Sequence, residues 1–152
     1  MPERQLALTR PPVEVRDAVS DLFARYAWSF DTGDVDAYVE TFEDNGVLDL
    51  AGARHVGRAA IRAYASGVVA DPAFVGRQHF VAQSVFEPHS RGWTVRSYAV
   101  ITQRSNKVST IFLTGHYRDV CVSVDGQWVF AERIFRTWDG AVLGRFASNT
   151  PG

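Results

Sequence analysis

The chain has 152 residues, enough for one domain with a sizeable core, and its 46% hydrophobic and 22% charged content is that of an ordinary globular protein. Its 16 basic and 17 acidic residues leave a net charge of −1, so there is no electrostatic footprint for nucleic acid or an anionic membrane. A single cysteine, Cys121, excludes an intrachain disulfide and argues against a thiolate metal site; in Asp119-Val120-Cys121-Val122-Ser123 it reads as a small buried strand residue.

Residues 1–12 read as a loose polar arm ending in Arg10-Pro11-Pro12. From Val13 to Asp31 the apolar positions Val15, Val19, Leu22, Phe23, Tyr26, Ala27 and Phe30 recur at helical spacing, which predicts an amphipathic helix. Thr32-Gly33 ends it, with Gly33 suited to a left-handed cap. Asp34 caps a short second helix with Val35, Tyr38, Val39 and Phe42 inward. Asp44-Asn45-Gly46 reads as a turn before a strand over Val47–Leu50 and a short return through Arg54-His55-Val56. Gly57 to Val69 reads as a third helix with Ile61, Tyr64, Ala65 and Val68 inward.

After Asp71-Pro72 the pattern turns to long strands, at Arg77–Glu87, Trp93–Gln103, Val108–Val124 and Gln127–Trp138. Asp125-Gly126 between the last two is a two-residue hairpin signal. Helices followed by consecutive antiparallel strands define an α+β class: about three N-terminal helices on a strongly curved, mostly antiparallel sheet enclosing a conical pocket. One domain is expected over residues 13–139, with residues 140–152 as a C-terminal tail. Both registers of Val108–Val124 carry bulk, Ile111 and Leu113 on one and Phe112, Val120 and Val122 on the other. Helices cover one face of the sheet only, so a homodimer or homotrimer joined through the other face is expected. Trp28 lies off the buried stripe and reads as a subunit contact. No apolar run approaches the length of a membrane span and the N-terminus carries no signal-peptide core, which points to a cytoplasmic protein without membrane attachment.

Asp31 ends the first helix, and His79 lies in the strand Arg77-Gln78-His79-Phe80-Val81, sharing a face with Val81 and Val85. A carboxylate that holds an imidazole in one tautomer, with a phenol such as Tyr26 nearby, suffices for acid–base chemistry without metal or cofactor. Each residue also has a plain structural reading. Asp31 suits the turn before Thr32-Gly33-Asp34, though Asp34 is better placed to cap. His79 suits a satisfied core position, and Tyr26 suits packing in the apolar stripe. Small residues on the Asp31 row of the helix (Ser20, Ala24, Ala27) would leave space before the carboxylate. His55, His89 and His116 have no metal-ligand spacing, and no nucleotide, phosphate-loop or G-x-S-x-G pattern occurs. No cofactor and no metal are expected.

The stretch from Leu22 to Asp34, with Tyr38 to Phe42, Gly57-Arg58-Ala59-Ala60-Ile61, the histidine strand, Thr114 to Asp119 and Asp125 to Arg133, resembles SnoaL-like proteins of the nuclear transport factor two superfamily. That resemblance implies the conical fold; its members include lyases, isomerases, cyclases and non-catalytic subunits. The Asp31 and His79 positions are similar to the dyad of scytalone dehydratase, bile acid 7α-dehydratase and hexachlorocyclohexane dehydrochlorinase. Tyr26 matches the tyrosine of the bile acid enzyme, and Arg133 falls where the dehydrochlorinase has an arginine. Leu50 departs from dehydratases that carry a second tyrosine near that position. By this resemblance His79 is the base, Asp31 its orienter, and Tyr26 and Arg133 polar stabilisers. Arg133 is equally suited to a structural pair with Asp119, and less so to its alternating neighbour Glu132. The implied activity is a dehydratase, isomerase or cyclase reaction on an apolar, oxygenated small molecule such as a polyketide or terpenoid intermediate. Two rivals share the fold: a non-catalytic subunit similar to the β subunit of ring-hydroxylating dioxygenases, and a binding module without turnover.

Overall fold

The computed structural model describes residues 9–138; the expected tail at 140–152 and most of the expected arm lie outside them. The helices are α1 (Val13–Asp31), α2 (Val35–Glu40) and α3 (Arg58–Val69), and the strands are β1 (Phe42–Leu50), β2 (Ala53–Val56), β3 (Arg77–His89), β4 (Gly92–Ser105), β5 (Val108–Val124) and β6 (Gln127–Thr137). They form an α+β fold of three helices on one six-stranded sheet of order β2-β1-β6-β5-β4-β3, curved but not closed. Among the described residues no helix is long and apolar enough to cross a membrane.

Local chemistry accounts for the element ends. The Asp34 carboxylate accepts from the Ala37 N–H at 3.0 Å, satisfying an otherwise orphaned donor at the start of α2. Gly33 closes α1 with φ +79°, the left-handed value that side chains resist. Asp125-Gly126 takes positive φ at both residues, 51° and 80°, as do Asn106 and Lys107, the geometry that matches strand twist in a two-residue hairpin.

Two features differ from the sequence expectation. Asp44-Asn45-Gly46 is no turn; it is looped out within β1, where pairing with β6 jumps from Phe42 to Val47. Arg58 holds it there, donating to the Phe42 carbonyl at 2.8 and 2.6 Å and pairing with Asp44 at 3.0 Å. Phe42 thereby opens a strand, not the end of α2. That strand, β1, runs parallel to β6, which adds one parallel pair to a sheet that is mostly antiparallel, as expected. Second, β3 carries a bulge between Ala82 and Val85, with Gln83 at φ +56°. The extra residue inverts the alternation, so Val85 pairs with Arg96 on the face opposite His79.

The core between helices and sheet is aromatic. Tyr26, Phe30, Tyr38, Phe42 and Phe130 are buried together, with Phe30–Tyr38 centroids 4.5 Å apart and Tyr26–Tyr38 4.8 Å apart. Cys121 is buried in the same cluster, as expected of a small strand hydrophobe. On the opposite face, Phe80, Tyr98 and Ile111 are exposed, and the register Phe80↔Val100 and Thr102↔Ile111 sets them on one surface.

Candidate active site

Helix α1 delivers Asp31 at its last residue, pointing at the edge strand β3. An edge strand leaves alternate backbone N–H groups without a neighbouring strand, and Asp31 takes one of them. Its Oδ2 accepts from the His79 backbone N–H at 2.9 Å while Oδ1 lies 2.5 Å from His79 Nδ1. One carboxylate thus grips both the backbone and the ring of the same residue. A carboxylate only accepts, so Nδ1 carries the hydrogen, and in the neutral ring that leaves the lone pair on Nε2. The ring is wedged between Phe30 and Phe74, with centroids at 5.4 and 6.5 Å. Burial is nearly complete: the His79 side chain is 9% exposed and that of Asp31 16%. Capping is left to Asp34, so Asp31 is committed to the histidine.

The two residues line a cleft of about 1770 Å³. From α1 it is lined by Ser20, Ala24, Ala27 and Asp31, the small-residue row anticipated in front of the carboxylate. From the sheet it is lined by His79, Val81, Ser84, Phe86 and Ser97, with the Ser84 and Ser97 hydroxyls hydrogen-bonded at 2.9 Å. The cleft therefore runs between α1 and β3 toward the edge of the sheet. Trp28, read from sequence as a subunit contact, lines it too.

Tyr26 and Arg133 fall together, but elsewhere. Neither lines this cleft, and both are shut in the core at 1% and 0% exposure. The Tyr38 hydroxyl donates to that of Tyr26 at 3.1 Å, and burial pushes the Tyr26 phenol well above its ordinary range. The Arg133 guanidinium carbon sits 3.6 Å from the centroid of Tyr117, 4.1 Å from Tyr26 and 4.4 Å from Phe130. Stacked rings replace water around the cation. Its counter-charge is Asp119, also fully buried, at 3.7 Å; the strand alternation had favoured Asp119 over Glu132. Burial pushes the Asp119 carboxyl up to about 7, with Arg133 pulling the other way. The remaining histidines sit apart from Asp31: His55 stacks on Tyr64 at 4.7 Å, His89 accepts from the Arg91 N–H at 3.2 Å, and His116 packs edge-on against Trp138 at 5.7 Å.

Ser84, Ser97 and Arg77 also line the cleft, though none of them stands in a sequence motif. Arg77 precedes His79 by two, so strand alternation alone sets it on the same face. Ser84 reaches the cleft only through the Gln83 bulge, which has no sequence signature.

Helices packed on one side of a curved, open sheet, with an Asp–His pair at the helix–strand junction, define an α+β cone of the nuclear transport factor two type. Residues 11–134 match the SnoaL-like domain, and the chain belongs to that family. A protein of unknown function from Mycobacterium tuberculosis is 26% identical, with TM-score 0.76, over 93% of this chain and 85% of that one. A protein from Novosphingobium aromaticivorans, provisionally assigned as a scytalone dehydratase, is 27% identical with TM-score 0.72, over 84% and 85%. ActVI-ORFA from Streptomyces coelicolor shares the fold at 20% identity and TM-score 0.75, over 83% and 96%. No curated protein matches the chain.

Proposed function

We propose that the protein is a cofactor-independent acid–base enzyme acting on an apolar, oxygenated small molecule, with His79 as base and Asp31 as its orienter. The observation that carries this reading is the double grip of Asp31 on His79 at 2.9 and 2.5 Å on the wall of a large cleft. A histidine needed only for packing would not require a carboxylate to fix its tautomer. Nε2 takes a proton from carbon beside a carbonyl; the C–H electron pair becomes the new double bond or enolate. Where a hydroxyl stands β to the carbonyl, its C–O bond breaks, and the imidazolium returns the proton so that water leaves. Return of the proton to another carbon gives isomerisation instead. The neighbour provisionally assigned as a scytalone dehydratase supports the first route, and polyketide-like or terpenoid substrates fit the apolar walls. Tyr26 and Arg133 support the aromatic core rather than the reacting atoms.

The test is a panel of cyclic β-hydroxyketones, followed by the absorbance of the conjugated product. Turnover of at least one member is expected; ligands that bind beside His79 without any change in absorbance would favour the binding module. We further propose that the exposed Phe80, Tyr98 and Ile111 face joins copies of the chain. Ile111 is 68% exposed there, a desolvation opportunity that a partner's apolar face would take. Light scattering at micromolar concentration should give a multiple of 16.9 kDa; a uniform 16.9 kDa particle would contradict it.

A further inference from the structure

The cleft is more cationic than a chain of net charge −1 would suggest. Its lining wraps the edge of the sheet and holds four arginines (Arg16, Arg77, Arg96 and Arg104) and two carboxylates (Asp31 and Glu87). Arg96, Arg104 and Glu87 stand on the face opposite His79, which leaves Arg16, Arg77 and Asp31 on the dyad's side. Both carboxylates are engaged: Asp31 with His79, and Glu87 with Arg96 at 3.2 Å. Among the arginines, Arg104 is tied to Ser109 at 3.1 Å. Arg16 lies near the start of α1, fifteen residues before Asp31 and so about 22 Å up the helix. Arg77 remains, on the strand and face of His79, two residues away or about 6.7 Å along the backbone.

Arg77 is half-buried and held in a prepared orientation. Its Nε–H donates to Gln103 Oε1 at 3.1 Å, and the other end of that amide donates to the Val75 carbonyl at 2.8 Å, which fixes the amide's direction. The guanidinium carbon stacks 4.0 Å from the Phe112 centroid. Phe74 bridges it to the dyad, 5.3 Å from the guanidinium carbon and 6.5 Å from the His79 ring. No carboxylate among the described residues pairs with Arg77. A preorganised cation with its outer nitrogens uncommitted, on apolar walls beside a base, is suited to a planar anion.

We propose that the cleft takes an anionic ligand, an apolar ring system bearing a carboxylate, with Arg77 as its anchor beside the Asp31–His79 pair. This rests on the cleft being the substrate site, and it narrows the substrate to a ring acid. The ring lies along Ala24, Ala27 and Val81, and the carboxylate meets the two terminal nitrogens of Arg77.

The probes are 2-naphthoate and its neutral isostere 2-naphthamide, with affinity read from quenching of tryptophan fluorescence and position from the NMR signals of the His79 ring. Wild-type protein should bind the carboxylate more than tenfold tighter than the amide, the scale of a hydrogen bond to a charged group, with the preference weakening as salt rises. Arg77→Gln should remove that preference while leaving the amide affinity within about twofold, which also reports an intact cleft. Arg77→Lys should keep part of the preference, and Arg104→Gln all of it. Equal binding of both probes beside His79 in wild-type protein, or a preference that survives Arg77→Gln, would overturn the anion anchor alone. Failure of both probes to bind, or binding that leaves the His79 signals unmoved, would overturn the cleft as substrate site together with the anchor.

Discussion

His79→Ala is expected to lower turnover by about 10²–10⁴-fold, the usual contribution of a positioned general base. The group lost is a ring on the cleft wall whose orientation is imposed by a carboxylate. Asp31→Asn should cost nearly as much. Its amide keeps one acceptor oxygen, which cannot serve both the His79 backbone N–H and Nδ1, and its NH₂ repels whichever donor it meets. The ring then loses its fixed tautomer, and Nε2 is no longer reliably the basic nitrogen. The two losses should not add, because each variant breaks the same unit. Tyr26→Phe serves as the contrast. It deletes one buried hydroxyl bond to Tyr38, worth about 1 kcal/mol, and should leave the rate within a few-fold. The measurement is the set of rate constants for both single variants, the double variant and Tyr26→Phe, with folding checked by circular dichroism. Near-wild-type turnover in His79→Ala would assign the base elsewhere.

Much of the dyad's geometry is legible before any coordinates, because it depends on signals a sequence carries well. The amphipathic run fixes α1 to Val13–Asp31, so the carboxylate must stand at a helix end facing the sheet. The row Ser20, Ala24 and Ala27 announces the space beside it. Hairpin chemistry at Asp125-Gly126 sets the register as far as Cys121 opposite Phe130, and a one-residue bulge beyond that pair, which no local pattern announces, lays Asp119 beside Arg133. What is not legible depends on irregular backbone and long-range pairing. The Gln83 bulge inverts the faces of β3, so alternation counted from His79 misassigns Val85. The parallel pairing of β1 with β6 joins residues some 85 positions apart, a register no local pattern encodes. Arg133 shows the same limit in another form. Its residue type fits a stabiliser of developing charge as well as a core cation, and only the aromatic rings of α1, β5 and β6 around it decide between them.

Arg133 should matter for stability more than any other charged residue. Removing one partner of a buried ion pair leaves the other uncompensated, a loss of about 3–5 kcal/mol, and here the rings of Tyr26, Tyr117 and Phe130 also lose the cation they enclose. For a chain of this length Arg133→Ala should therefore lower the melting temperature by roughly 6–20 °C. Replacing both partners by apolar side chains, Arg133→Met with Asp119→Leu, should recover much of the loss, since neither charge is then left dry. The pH dependence separates this account from simple cavity formation. Asp119 is pushed from an ordinary value of 3.8 up to about 7 by burial, so between those limits the folded chain keeps a proton that the unfolded chain releases. Its stabilising contribution is complete below pH 3.8 and is lost as pH rises to about 7, with a slope approaching 1.4 kcal/mol per pH unit, about the value for one proton. Asp119→Asn should abolish that slope. Arg133→Met should carry it to higher pH, because the cation that pulls the carboxyl down is gone. Denaturant unfolding at a series of pH values, compared across the three chains, reads this directly, and identical profiles would show that Asp119 does not titrate against Arg133.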